Sequence, residues 1–139
     1  MAGFFRPLPA LEPLTAPFWR ACRAGRLEFL HCPRCSYFVH PPRPICPRCR
    51  QGELERRAVS GRGVLYSYTV NHKAWYPGQE VPYVIGLVEL AEQEGLRLTT
   101  NIVNCPPERL RIGLPVRVVF EVLNDEVALP LFEPAEEGR

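Results

Sequence analysis

Three things are scarce in these 139 residues: lysine, long apolar runs, and any nucleophile set beside a base. Lysine occurs once, at Lys73, against sixteen arginines, so the basic charge is carried almost wholly by groups that never lose it. No apolar run approaches the ~18 residues needed to cross a membrane as a helix. Residues 1–17 hold one basic residue, Arg6, and four prolines, which is not the charged and apolar pattern of a signal peptide. A soluble cytoplasmic protein is expected. In that setting the six cysteines make a poor disulfide scaffold. Four stand in two Cys-x-x-Cys pairs, while Cys22 and Cys105 stand alone among hydrophobic neighbours, a pattern that points to metal. Catalytic groups are also missing. His72 adjoins Lys73, but no nucleophile or orienting acid accompanies them. Cys105, among Ile102, Val103 and Leu110, reads as buried filler rather than an activated thiol. An independent thioesterase has no base and nucleophile to work with.

What is present is unevenly spread. The net charge is +2, yet residues 1–62 carry eleven Arg against four Glu, or +7, and residues 63–139 carry five Arg and Lys73 against eleven acids, or −5. The boundary lies near Gly61–Gly63. The basic half reads either as a solvated face around an anionic metal centre or as a phosphate-binding surface.

Four stretches follow from the patterning: an N-terminal arm and helix over 1–26, a metal module over 27–60, a β domain over 61–133 and an acidic tail over 134–139. In the first, prolines keep residues 1–13 extended. Thr15 is placed to cap a helix through Arg23, with Pro17 tolerated in its first turn and Gly25 as the stop. Phe18 and Cys22 are four apart and share a face with Trp19. That face either packs on its own domain or docks a partner chain, which makes Phe18 and Trp19 candidate docking residues.

In the second stretch, 27–31, 37–40 and 53–58 read as strands around two Cys-Pro-Arg-Cys knuckles. Two residues between ligands let each turn aim both sulfurs at one ion, and the ten residues between the knuckles allow a short hairpin. Cys32, Cys35, Cys46 and Cys49 are therefore expected to hold one ion in a closed tetrahedral site. Zinc suits such a site, although a rubredoxin-like iron centre uses the same ligands. Four sulfurs leave no open position, so the ion is structural, and His31 and His40 read as flanking residues.

The third stretch alternates in the manner of strands over 63–70, 83–90, 96–102, 116–122 and 127–132. Gly86 inside the second suggests a bend or bulge. Residues 106–110 suggest one helical turn. Five strands with a short helix between the third and fourth match a small OB-type barrel. The predicted fold is thus mainly β: an N-terminal helix, a rubredoxin-like zinc ribbon and a C-terminal five-stranded OB-fold barrel. Arg62, Tyr66, Tyr68, His72, Lys73, Trp75 and Tyr76 gather on the first barrel strand and its following loop, where Trp75-Tyr-Pro-Gly78 makes an aromatic display. Either it meets a partner or ligand, or Trp75 folds back to close the barrel end.

The order of these features resembles one known family. Phe18-Trp19 and Gly25 precede the two knuckles; Gly61-Arg-Gly63 leads into Tyr66-Ser-Tyr-Thr69; Pro82-Tyr83 opens a strand, Gly95 sits in a hairpin, and Ile112-Gly113 precedes Val116–Phe120. Over roughly 15–132 the chain is similar to the acyl-CoA-associated zinc-ribbon plus OB-fold proteins, long catalogued as a domain of unknown function. Ser36 and Arg50 depart from that pattern, standing where the family often has Gly. The resemblance implies a non-catalytic accessory subunit of a thiolase-like acyltransferase, hydratase or aldolase, which helps hold or pass a CoA thioester. CoA or acyl-CoA would then be a ligand, and Arg62, Tyr66, Tyr68, His72, Lys73, Trp75 and Tyr76 its candidate contacts or those of the partner. The alternative is a single-stranded nucleic-acid-binding zinc-ribbon/OB module. Against it, positive charge lies on the ribbon half and not on the barrel.

Overall fold

From Arg62 onward apolar side chains recur at every second residue, and strands that each hide one face must find a partner for it. The computed structural model answers with a closed barrel. It describes residues 8–135 apart from Tyr76; residues 1–7 of the arm, 136–139 of the tail and the candidate Tyr76 lie outside the described residues. The barrel consists of β4 (Arg62–Asn71), β5 (Tyr83–Leu90), β6 (Arg97–Ile102), β7 (Pro115–Val122) and β8 (Ala128–Pro134), closed in the order β4-β5-β6-β8-β7. One contact in that circuit, β6 with β8, is parallel, and a 3-10 turn at Pro107–Arg109 lies between β6 and β7. This is the OB arrangement. On β5 the inward set is Val84, Gly86, Val88 and Leu90, which with Leu65, Leu96, Leu98, Val116 and Phe132 fills the interior.

Before the barrel come α1 (Ala16–Arg23), β1 (Glu28–Cys32), β2 (Tyr37–Val39) and β3 (Glu55–Ala58), with the three strands ordered β2-β1-β3. α1 packs against β1 on one side and β8 on the other. It therefore lies in the seam between ribbon and barrel. Phe18, 8% exposed, meets Phe29 at a ring separation of 5.9 Å and Trp19 edge-on at 5.0 Å. Gln93, in the β5–β6 turn, brackets the edge strand β2: Phe38 N–H donates to its Oε1 at 2.8 Å, and its Nε2 donates to Phe38 O at 3.0 Å. The side-chain amide replaces the missing fourth strand of the ribbon sheet at that point. Ser60 N–H donates to Glu92 Oε2 at 2.7 Å beside it. Among the described residues no helix is long and apolar enough to cross a membrane.

Two expectations change. Thr15 precedes α1 but makes no side-chain cap; its Oγ1 instead donates to Ala10 O and accepts from Glu12 N–H, both at 3.2 Å, holding the incoming chain. Gly86 is not a bulge. It pairs in register with Tyr68, and a Cβ there would sit 2.8 Å from Ile102 Cγ1 and 3.1 Å from Leu65 Cδ1. Its role is to leave room where two core side chains converge. The bulge falls across the strand instead, between Leu65 and Ser67, so that Tyr66 is the extra residue.

Candidate metal centre and partner surface

The two knuckles fold as one motif used twice. Ser36 N–H donates to Cys32 O at 2.8 Å, and Arg50 N–H donates to Cys46 O at 2.8 Å. In each case the residue after the second cysteine turns left-handed, with φ of 56° at Ser36 and 66° at Arg50. The glycine-like conformation is therefore kept although neither residue is glycine. The turn aims both sulfurs of each pair at one point. Cys32 Sγ lies 3.6 Å from Cys49 Sγ, Cys35 Sγ lies 3.5 Å from Cys46 Sγ and 3.9 Å from Cys49 Sγ, and all four sulfurs lie within 4.8 Å of one another. A tetrahedron of Zn–S bonds of ~2.3 Å has edges of about 3.8 Å. The donor set and its spacing fit a zinc ion with no position left for water or substrate.

Donors nearby suit sulfurs that carry charge. Arg48 N–H points at Cys46 Sγ at 3.4 Å, and Gln51 Nε2 at Cys32 Sγ at 3.3 Å. Gln51 also reaches Glu53 O at 2.8 Å, which pins the second knuckle to the chain that follows it. Sequence reasoning missed Gln51, and its place just beyond the second knuckle was the available signal. His31 is buried, its Nδ1 2.7 Å from Glu55 Oε2 and its ring 4.8 Å from Phe38. His40 packs edge-on to Phe29 at 4.8 Å, and burial together with the Arg56 charge pushes its pKa down to about 4. Burial pushes the Cys22 thiol up to about 12, which leaves it an inert packing residue. Cys105 is partly buried against the barrel core.

On the barrel, the expected cluster comes apart. Tyr66 and Tyr68 would share a face in a regular strand, but the bulge at Tyr66 inverts the alternation. Tyr66 points outward, with the Arg97 guanidinium 3.8 Å from its ring centre and Arg97 in turn held by Glu89 at 2.9 Å. Tyr68 points inward beside Gly86, packs on the core and donates from its hydroxyl to Leu110 O at 3.4 Å. It is partly buried, packed against the barrel core. Arg62 begins the ten-residue β4 and His72 follows its end, so the length of the strand separates them. Arg62 instead borders a groove of about 460 Å³ with Val64, Glu89, Glu94 and Pro115. At the far end, His72, Lys73 and Trp75 remain together in the loop after β4. Trp75 is 60% exposed, capped by Lys73 Nζ at 4.4 Å, and its N–H donates to Gln79 Oε1 at 2.7 Å. It does not fold back over the barrel. Phe18 is likewise corrected as a docking residue, because its ring is buried in the seam; Trp19 is partly buried against the same core.

Two family models match this chain in tandem: the ChsH2 rubredoxin-like zinc ribbon domain over residues 19–55 and the ChsH2 C-terminal OB-fold domain over residues 56–121. The chain belongs to the DUF35 zinc-ribbon and OB-fold family. It is 39% identical to a probable enoyl-CoA hydratase alpha subunit of Thermomonospora curvata, over 94% of this chain and 40% of that one. It is also 39% identical to a DUF35 domain-containing scaffold protein of Methanocaldococcus jannaschii, over 77% of this chain and 73% of that one. Another relative is a benzoylsuccinyl-CoA thiolase subunit of Thauera aromatica. Among solved structures, a chain of an Ltp2-ChsH2(DUF35) aldolase superposes with a TM-score of 0.84 and 38% identity, covering 93% of this chain and all of that one. This DUF35 chain thus spans about two fifths of the hydratase subunit and the full length of the aldolase-associated chain.

Proposed function

We propose that this DUF35 chain is a non-catalytic accessory subunit that binds a hydratase, thiolase-like or aldolase partner and helps hold or pass its CoA thioester. The observation that carries the reading is the end-to-end likeness to the chain of an aldolase assembly. The site chemistry agrees with it. A closed four-thiolate centre supplies folding free energy and no Lewis-acid position. The loop bearing Lys73 and Trp75 offers a flat, exposed ring with a cation over it, the pair of groups suited to a nucleotide base or a partner's apolar side chain. The nucleic-acid alternative is less well served. Strand-binding OB barrels use the outer face of their second and third strands, which here presents Tyr83, Ile85, Leu87 and Glu89 on β5 and Arg97, Thr99 and Asn101 on β6. Its one cation, Arg97, is already engaged by Glu89.

Affinity purification of the tagged full-length chain is the test. A hydratase-, thiolase- or aldolase-fold enzyme is expected in a fixed ratio; recovery of nucleic acid with no such enzyme would overturn the proposal. In the recovered complex, Trp75→Ala should weaken CoA or partner binding while changing stability by less than about 0.5 kcal/mol.

A further inference from the structure

Six described arginines are paired with carboxylates, while Arg23, Arg62 and Arg111, spread over helix and barrel, and four on the ribbon are not. Arg20, Arg26, Arg56, Arg57, Arg97 and Arg117 each lie within 4 Å of a glutamate. Arg34, Arg43, Arg48 and Arg50 do not; among the described residues no carboxylate lies within ion-pairing reach of them, and all four are exposed. These four belong to the knuckles and the loop that joins them. Arg34 and Arg48 occupy the same place in the two Cys-Pro-Arg-Cys turns, so convergence of the four sulfurs within 4.8 Å brings their backbones to one end of the ribbon. A zinc ion with four thiolates carries −2, which two cations would offset; the tip presents four.

The tip is not uniformly polar. Ile45, between the knuckles, is 45% exposed, and Arg48 lies 5.1 Å over the ring of Tyr37. Unpaired arginines around an exposed aliphatic and an aromatic platform are the composition of a protein interface core. A phosphate site would ask for a concave pocket with convergent donors. The groove beside Arg62 and the small cavity beneath Phe18 are both lined by other residues.

We infer that the knuckle tip, Arg34, Arg43, Arg48 and Arg50 around Ile45, is a docking surface for an acidic, partly apolar face on the enzyme partner. The inference rests on the accessory-subunit reading and assigns it a surface on the ribbon, away from the Trp75 loop. Its zinc is then what holds four like charges on one rigid end.

The experiment compares the purified complex of the full-length, zinc-loaded chain with that of Arg34→Glu/Arg48→Glu. Both substituted side chains are exposed and neither is a metal ligand, so zinc content and circular dichroism are expected to stay unchanged. Partner affinity is expected to fall roughly 100-fold, because each reversal sets like charges together. Wild-type affinity should also fall with added salt, and more steeply than that of the variant. Hydrogen exchange should show protection of residues 33–50 in the complex. Equal affinity of the two forms, or loss of CoA binding with the complex intact, would overturn the docking assignment while leaving the accessory role standing. Failure of the wild-type chain to recover an enzyme at all would take down both.

Discussion

Ribbon and barrel solve the same problem by different means. The barrel's five strands run from six to ten residues and close on themselves, so no strand is left with an open edge and each inward side chain meets others across the interior. The ribbon's strands are three to five residues long, and the buried apolar set they contribute is Phe29, Phe38 and Val39, with Leu27 just before β1. So small a core does not hold a fold. The ribbon is completed by an ion and by loans from elsewhere: Phe18 and Cys22 from α1, and the Gln93 amide from the barrel. The barrel is thus specified by alternation, and the ribbon by a donor set together with its neighbours.

Cys46→Ser should separate the two regions most sharply. Structural zinc contributes on the order of 10 kcal/mol to small thiolate modules, so bound zinc is expected to disappear and amide protection to be lost across β1, β2 and β3. Protection in β4–β8 should survive. If the barrel amides open in step, the two regions form one cooperative unit and the contrast fails. Phe18→Ala comes next, at about 3–5 kcal/mol by chemical denaturation, since it empties the seam between them. A loss under 1 kcal/mol would mean that ribbon and barrel hold together without the helix.

His40 gives a pH-dependent version of the same contrast. Its folded pKa of about 4 lies below the ordinary 6.5, so between those values the unfolded chain carries a proton that the folded chain excludes. The stability that neutral His40 contributes is complete above pH 6.5 and is lost as pH falls toward 4. Partial exposure reduces this to roughly 1–2 kcal/mol. The measurement is the difference in pH slope between wild type and His40→Asn, which removes the acid sensitivity that both share through the thiolates. Parallel slopes would exclude His40 as a source. The smallest effect is expected at Arg50→Gly. A left-handed residue with a Cβ costs about 1 kcal/mol, and the greater freedom of unfolded glycine returns part of the gain. A stabilisation below about 1 kcal/mol is expected, and a loss would show that the Arg50 side chain stabilises the knuckle.

Much of the fold was legible because its signals are local. Two Cys-x-x-Cys pairs ten residues apart, and alternation in five stretches, need no knowledge of distant contacts. The candidate barrel site was less legible. Alternation placed Tyr66 and Tyr68 on one face, and a single extra residue in β4 put them on opposite faces. Composition gathered Arg62 with Trp75, and the ten-residue β4 set them at opposite ends. Gln93 had no signal at all, since a polar residue in a hairpin turn looks the same whether it meets solvent or a strand edge.

Read alone, the sequence determined the four-cysteine donor set, the strand count and the basic-to-acidic division of the chain. Each depends on residue type and short spacing. Tertiary structure decided which aromatics are displayed and which are packed, which arginines find carboxylates, and how the ribbon is closed. Those outcomes turn on register, on the seam around α1 and on pairs of residues far apart in the chain, where the distance that matters is through space.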